Sequence, residues 1–289
     1  MTDSATGSAS VLLITGTSTG IGRAAAIAAA RAGHTVVATM RDLGKREPLD
    51  AAAREAGVSL DVQALDVTSP ASIEACFAHI RSAHGRLDAL LNNAGAGHVG
   101  TIEDESVQAV RDVMEVNFFG VVAVTKAALP LLRESGGRLL TVSSVGGVVG
   151  QPFNEAYCAA KFAVEGFLES LTPVAAALGV RVTVIEPGAV STEFVANVGA
   201  AGSAPADDSP YRPLFDAYLA RTAAAFDPAN AQTPDGVAEV IVSVLADEHP
   251  AARVQPSEAA RRFAGVKLAD LDGSVVQGVT AGWIRQPTA

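Results

Sequence analysis

The sequence predicts an α/β fold of the doubly wound kind, one parallel sheet of about seven strands with helices on both faces, and three observations predict it. Short apolar runs rich in β-branched residues alternate with longer stretches of helical periodicity. The first run, VLLIT, passes through a glycine turn directly into an alanine-rich helix, as the opening strand of such a sheet does. Of the 289 residues, 49% are hydrophobic and 18% charged, enough apolar surface for one large core. A single domain over residues 11–289 is expected behind a flexible tail over 1–10.

In chain order, strands are expected at 11–15, 35–39, 60–64, 87–91, 138–143 and 181–186, each an apolar run ending at a turn or cap-like cluster, with a short seventh at 252–255. Helices fill most of the intervals. Residues 198–213, rich in Gly, Ala, Ser, Asp and Pro, read as an inserted loop. Beyond it Tyr211, Leu214, Phe215 and Tyr218 recur at helical spacing, so 196–230 is expected to form a substrate-covering loop and helix, or a helix simply packed on the sheet. Strand-to-helix loops leave the carboxyl edge of a parallel sheet, so chemistry is expected there.

Charge narrows the partners. With 21 basic and 31 acidic side chains the net charge is -10, which disfavours nucleic acid and anionic membrane surfaces. The opening MTDSATGSAS lacks the basic and apolar regions of a signal peptide, and no uninterrupted apolar run approaches the roughly 20 residues of a membrane span. A soluble, cytoplasmic protein is expected. Cys76 and Cys158 match no metal or redox spacing, and the five histidines, His79 and His84 among them, show no H-E-x-x-H pattern, so no metal is expected.

The turn GTSTGIG, with Gly16, Gly20 and Gly22, sets a helix N-terminus where backbone amides and the macrodipole can hold a pyrophosphate. Its G-x-x-x-G-x-G spacing departs from the usual dinucleotide fingerprint, and a ligand-free turn is the plain alternative. The same residues fit G-x-S-x-G, which would make Ser18 a hydrolase nucleophile; no His or Asp is tied to it by motif. After the second strand Arg41 stands where an NAD-selective protein usually places a carboxylate, and suits a ribose phosphate, with Lys45 and Arg46 close by. NADP(H) is therefore expected, and Asp42 keeps NAD(H) as the alternative. Asp66 reads either as an adenine contact or as part of the cap of the next helix.

Tyr157 and Lys161 form Y-x-x-x-K on a helix, a spacing that stacks phenol and ammonium on one face. Such a neighbour favours phenolate, so the Tyr157 pKa is expected to fall and the phenol to act as acid or base, unless the pair is a plain surface one. Ser144, after RLLTVS, faces the same edge and would orient a carbonyl oxygen.

Together TGTSTGIG, NNAG (92–95), Asn117, Ser144, YCAAK and PGAVST (187–192) resemble the short-chain dehydrogenase/reductase family in its classical branch, from about Val11 to the C-terminus. The resemblance implies a Rossmann-type domain that moves hydride between nicotinamide and a carbonyl or alcohol. Tyr157 would exchange the proton, Ser144 bind the oxygen, Lys161 hold the ribose hydroxyls, and Asn117 hold a helix kink and a water linking Lys161 to solvent. Cofactor contacts would come from Gly16, Thr17, Ser18, Thr19, Gly20, Ile21, Arg41, Asp66, Val67, Asn93, Ala94, Gly95, Pro187, Gly188, Val190 and Thr192, besides Tyr157 and Lys161. As isolated motifs, NNAG reads equally as a strand-end brace and PGAVST as a chain turn.

Within the family, ATMRDL, VEGFLESL with IEPG, and KLADLDGS look similar to 17β-type hydroxysteroid dehydrogenases and retinol dehydrogenases, which implies a bulky apolar substrate such as a steroid or retinoid. His98, Val148, Gln151, Phe153 and Phe194 follow strand ends and would line its pocket, with no chemical role for His98. The helices around 107–132 and 156–178 resemble the faces by which family members form dimers or tetramers, so a homo-oligomer is expected. The competing class is a nucleotide-binding regulator without turnover, against which the intact Ser144, Tyr157 and Lys161 weigh.

Overall fold

The computed structural model describes residues 9–193 and 204–285. Within them seven strands make one all-parallel sheet in the order β3-β2-β1-β4-β5-β6-β7. They are β1 (Val11–Thr15), β2 (Thr35–Met40), β3 (Asp61–Ala64), β4 (Ala89–Asn92), β5 (Arg138–Val142), β6 (Arg181–Ile185) and β7 (Arg253–Val254). The expected strands are all present. β4 starts two residues later than expected; just before it Asp88 accepts from the Val11 amide through its carboxylate at 2.8 Å and donates its own amide to the Val11 carbonyl at 2.8 Å, bracing the entry to β1. Of the expected tail only Ala9 and Ser10 fall within the described residues, and Phe194 with 196–203 of the expected loop lies outside them.

Side-chain alternation along buried strands builds the two layers. Val11 and Leu13 face one way, into a core with Phe77 and Ile80 of α3 (Pro70–Ala83), Val124 and Leu132 of α5 (Gly120–Ser135), and Val164 and Leu168 of α6 (Glu155–Ala177). Leu12 and Ile14 face the other, packing with Ala25 and Ala29 of α1 (Gly20–Arg31), Leu49 of α2 (Glu47–Ala56), and Val237 and Ile241 of α8 (Pro234–Ala246). Leu12, Leu13 and Ile14 are fully buried, each contributing roughly 1.5–3 kcal/mol by leaving water. The alanines of α1 let that helix lie close to the sheet.

Helix α4 (Val107–Met114) runs through a π turn at Glu115–Phe119 into α5. This continuous helix, 107–135, is the one among the described residues long and apolar enough to cross a membrane, although no sequence run was uninterrupted. Its Val121, Val124, Ala128 and Leu132 are spent on the sheet core, which accounts for its composition. The last elements, α7 (Arg212–Phe226), α9 (Glu258–Ala269) and α10 (Ser274–Ala281), close the carboxyl edge.

Candidate active site

β1 and β4 are neighbours from which the chain winds in opposite directions, and the crevice outside their carboxyl ends is the switch point of the sheet. The glycine turn lies there. A β-carbon on Gly22 would stand 2.2 Å from the Gly16 carbonyl oxygen and 2.4 Å from Asn93 Nδ2, so only glycine lets α1 begin this close to β4. Thr19, the N-cap of α1, makes no side-chain cap bond, which leaves the helix's first amides directed into the crevice. That is a cradle for a phosphate group, and the residues present fit a dinucleotide.

The neighbouring loops complete it. Asn93 Nδ2 donates to the carbonyls of Thr15 and Gly16 at 3.0 and 2.9 Å, and Thr15 Oγ1 accepts from the amides of Asn93 and Ala94, both at 3.0 Å. NNAG therefore braces β1 against β4 and sets Ala94 and Gly95 at the crevice rim. Thr192 comes from the opposite side, its Cγ2 3.2 Å from where a Gly20 β-carbon would be. Pro187 accepts from the Val145 amide at 2.9 Å, Gly188 abuts Ala260 of α9, and buried Val190 bridges to Gln232. Of the turn residues, Ser18 and Ile21 are half-buried and Thr19 exposed. Thr17 is fully buried, its hydroxyl donating to the Thr39 carbonyl at 3.1 Å, so it ties the turn to β2.

At the tips of β2 and β3, exposed Arg41 lies close enough to Asp66 to help hold that carboxylate below its usual range, after the hydrogen bond from the Thr68 amide, which acts most strongly. Asp66 Oδ1 accepts from the Thr68 amide and hydroxyl at 3.0 and 2.7 Å, and Ser69 caps α3. Val67 packs on Gly120, where a β-carbon would meet its Cγ2 at 2.7 Å. Asp42 is committed to capping a single tight helical turn, accepting from the Gly44 amide at 2.9 Å. Arg46 is likewise taken, forked onto Asp50 at 2.7 and 3.2 Å, so the local cluster reduces to Arg41 and Lys45.

The proposed acid–base group is assembled on the other side of the switch point. Ser144 follows β5 as the cap of a short helical turn and accepts from the Gly146 amide at 3.0 Å. A β-carbon on Gly146 would lie 3.3 Å from Ser144 Oγ, 3.4 Å from Gln151 Nε2 and 3.4 Å from Tyr157 Cε1, so these three side chains converge on one point. Ser144 is also hydrogen-bonded to Tyr157. Lys161, 5% exposed, stands 5.8 Å from the Tyr157 ring centre and donates to the Val142 carbonyl at 3.0 Å. The fully buried Asn117, on the π turn, donates to the carbonyls of Ala96 and Val113 at 2.9 and 3.0 Å and accepts from the Ala96 amide at 3.1 Å. The expected helix kink is thus a π turn pinned to the loop after β4.

One expectation is corrected. Lys161 was expected to draw the Tyr157 pKa down, yet burial pushes the phenol above its ordinary range against the pull of Ser144. Burial also pushes the Lys161 ammonium down to about 8, with Glu165 opposing. Desolvation is the largest influence on both groups, and the neutral phenol is the form held at pH 7.

Around this centre Phe153 packs edge-on against Phe215 at 5.2 Å and tilted against Tyr218 at 5.6 Å, with Val99 in the same cluster. Phe153 has φ 59, a strained value for a side-chain-bearing residue, and it lies just before Tyr157. Leu214 was expected on the same face but is 38% exposed, since only Tyr211, Phe215 and Tyr218 turn inward. Val148 packs instead on Ala264 and Val276 of α9 and α10, and buried His98 pairs with Glu105. No histidine partners Ser18: His34, His79, His84, His98 and His249 all lie on other elements, which leaves the hydrolase alternative without a base. Sequence reading missed the Asn154–Tyr218 hydrogen bond that clips α7 to the start of α6, because neither residue carries a motif.

The description "short chain dehydrogenase" belongs to the family model that matches residues 10–202. Retinol dehydrogenase 8 of Homo sapiens is 39% identical over 273 residues, 91% of this chain and 86% of that one. The 17-beta-hydroxysteroid dehydrogenase type 1 of Mus musculus is 38% identical over 273 residues, 91% and 78% of the two chains. Among solved structures, a short-chain dehydrogenase from Streptomyces avermitilis superposes with a TM-score of 0.79 at 32% identity, over 95% of this chain and 99% of its own. An alcohol dehydrogenase from Thermococcus sibiricus, complexed with 5-hydroxy-NADP, superposes with a TM-score of 0.69 at 25% identity, over 85% and 95%. The fold, the ordered motifs and these matches together make the chain a member of the short chain dehydrogenase family, an oxidoreductase acting on CH–OH groups.

Proposed function

We propose that the protein is an NADP(H)-dependent carbonyl reductase or alcohol dehydrogenase acting on a bulky, apolar ketone or secondary alcohol. The observation that carries this reading is the convergence of Ser144 and Tyr157 beside buried Lys161, at the edge where the glycine turn opens. Bound in that crevice, a nicotinamide dinucleotide supplies hydride for reduction and accepts it for oxidation. The α1 amides would hold its pyrophosphate, Arg41 its ribose phosphate, and Lys161 its nicotinamide ribose hydroxyls.

In reduction Tyr157, a neutral phenol, would give its proton to the carbonyl oxygen and become phenolate, which solvent reprotonates; in oxidation the phenolate would take the proton of the alcohol. Ser144 orients that oxygen by a hydrogen bond. Asn117 holds the loop after β4 and the π turn in place behind Lys161. An apolar substrate is supported by the aromatic group Phe153, Phe215 and Tyr218, and by the retinol and hydroxysteroid substrates in the relatives' names. Residues 196–230 would cover that substrate, α7 among them. Phe119 and Phe162, 50% and 41% exposed on the central helices, support a homo-oligomer.

Nicotinamide absorbance, followed with NADPH and NADH across steroids, retinoids, aliphatic ketones and quinones, tests the reading. Turnover of apolar ketones or alcohols, faster with NADPH, is expected. Tight dinucleotide binding with no turnover on any substrate would instead mark a regulator.

A further inference from the structure

At the β3 edge of the sheet, three side chains from separate places in sequence meet at one oxygen. Asp61 opens edge strand β3, His79 lies in the last turn of α3, and His84 is its C-cap. His79 Nε2 stands 2.7 Å and His84 Nε2 2.8 Å from the same Asp61 Oδ2, and all three atoms lie within 4.8 Å of one another. The two rings meet edge to face at 82°, with both Nε2 atoms aimed at the carboxylate.

We propose that Asp61, His79 and His84 form a binding site for a divalent transition-metal cation of the zinc class, clipping edge strand β3 to the end of α3. Two imidazoles and a carboxylate are the donor set such cations take. At bond lengths of about 2.0–2.1 Å, donor atoms 2.7 and 2.8 Å apart subtend about 80–90° at a metal, the angle between neighbouring ligands in an octahedron. A tetrahedral angle at the same bond lengths needs the pairs to open by about 0.5–0.7 Å. The carboxylate is already oriented, for Gln63 Nε2 donates to Asp61 Oδ1 at 2.5 Å, leaving Oδ2 for the histidines.

The backbone is preset, because strand register fixes Asp61 opposite Val37 and helical geometry fixes both histidines. All three side chains are part-buried, so water completes the coordination. The site stands apart from the hydride-transfer centre at the opposite sheet edge, and its role is to fasten the strand that has a neighbour on one side only.

Zinc chloride titrated calorimetrically into the chelator-treated full-length protein should bind at one ion per chain. The melting temperature should rise by about 5 °C at a hundredfold excess over the dissociation constant. The variants His79→Gln and His84→Gln should each weaken binding at least tenfold while turnover is kept. Histidine acylation mapped by mass spectrometry needs no variant: zinc should protect His79 and His84 and leave the exposed His249 reactive. Failure of the natural protein to bind zinc, undiminished binding in the variants, or equal labelling with and without zinc would overturn the site.

Discussion

At the scale of single residues, the positions with a backbone or motif reason were legible, and those defined by a partner elsewhere were not. Gly16, Gly22, Ser144, Tyr157 and Lys161 fall where their spacing placed them, since strand ends and helical periodicity fix a side chain's direction. The direction of the Tyr157 pKa was not legible, because burial is a property of the folded cleft and outweighed the neighbouring ammonium. Thr17 was read as a cofactor contact, whereas its hydroxyl faces β2. The Asp61, His79 and His84 cluster has no fixed spacing, and only the return of α3 alongside β3 brings it together. The cofactor assignment belongs at this scale as well. Arg41 makes no ion pair among the described residues and Asp42 is engaged with Gly44, so Arg41→Asp should lower the NADPH-over-NADH preference at least tenfold in kcat/KM. An unchanged ratio would remove Arg41 from the site.

At the scale of elements, the strands were readable because both faces are buried and their runs are apolar throughout. Their ends were less so: β7 shortens to Arg253–Val254, and its place at the sheet edge depends on a charged contact. Arg253 Nε reaches the fully buried Glu186 at 2.5 Å, and Gln255 Nε2 donates to the same carboxylate at 2.9 Å. Removing one partner of such a pair leaves an uncompensated charge, so Arg253→Met should destabilise the protein by about 3 kcal/mol in urea unfolding. A change within about 0.5 kcal/mol would show that the pair contributes little. Helix α7 was expected from its aromatic spacing, and Tyr211, Phe215 and Tyr218 do face inward as a single stripe, while Leu214 falls beside it.

At the scale of the whole molecule, the two-layer core and its switch point follow from the strand order, and the site follows from them. Titration is a property of this packing. Burial, reinforced by neighbouring Glu186, raises Glu165 from 4.5 to about 7, so the folded state keeps a proton that the unfolded chain has released between those values. Ionising Glu165 in the fold costs stability, which therefore falls as pH rises through that window. Glu165→Gln should melt close to the natural protein at pH 4.5 and progressively higher relative to it toward pH 8; a constant difference across the range would contradict the assignment. The most direct test of the central claim, that Tyr157 moves the proton when hydride is transferred, is Tyr157→Phe assayed for both dinucleotide affinity and turnover. Affinity within a few-fold of the natural protein with a loss of about 10²–10⁴ in kcat is predicted. Full turnover in that variant would contradict it.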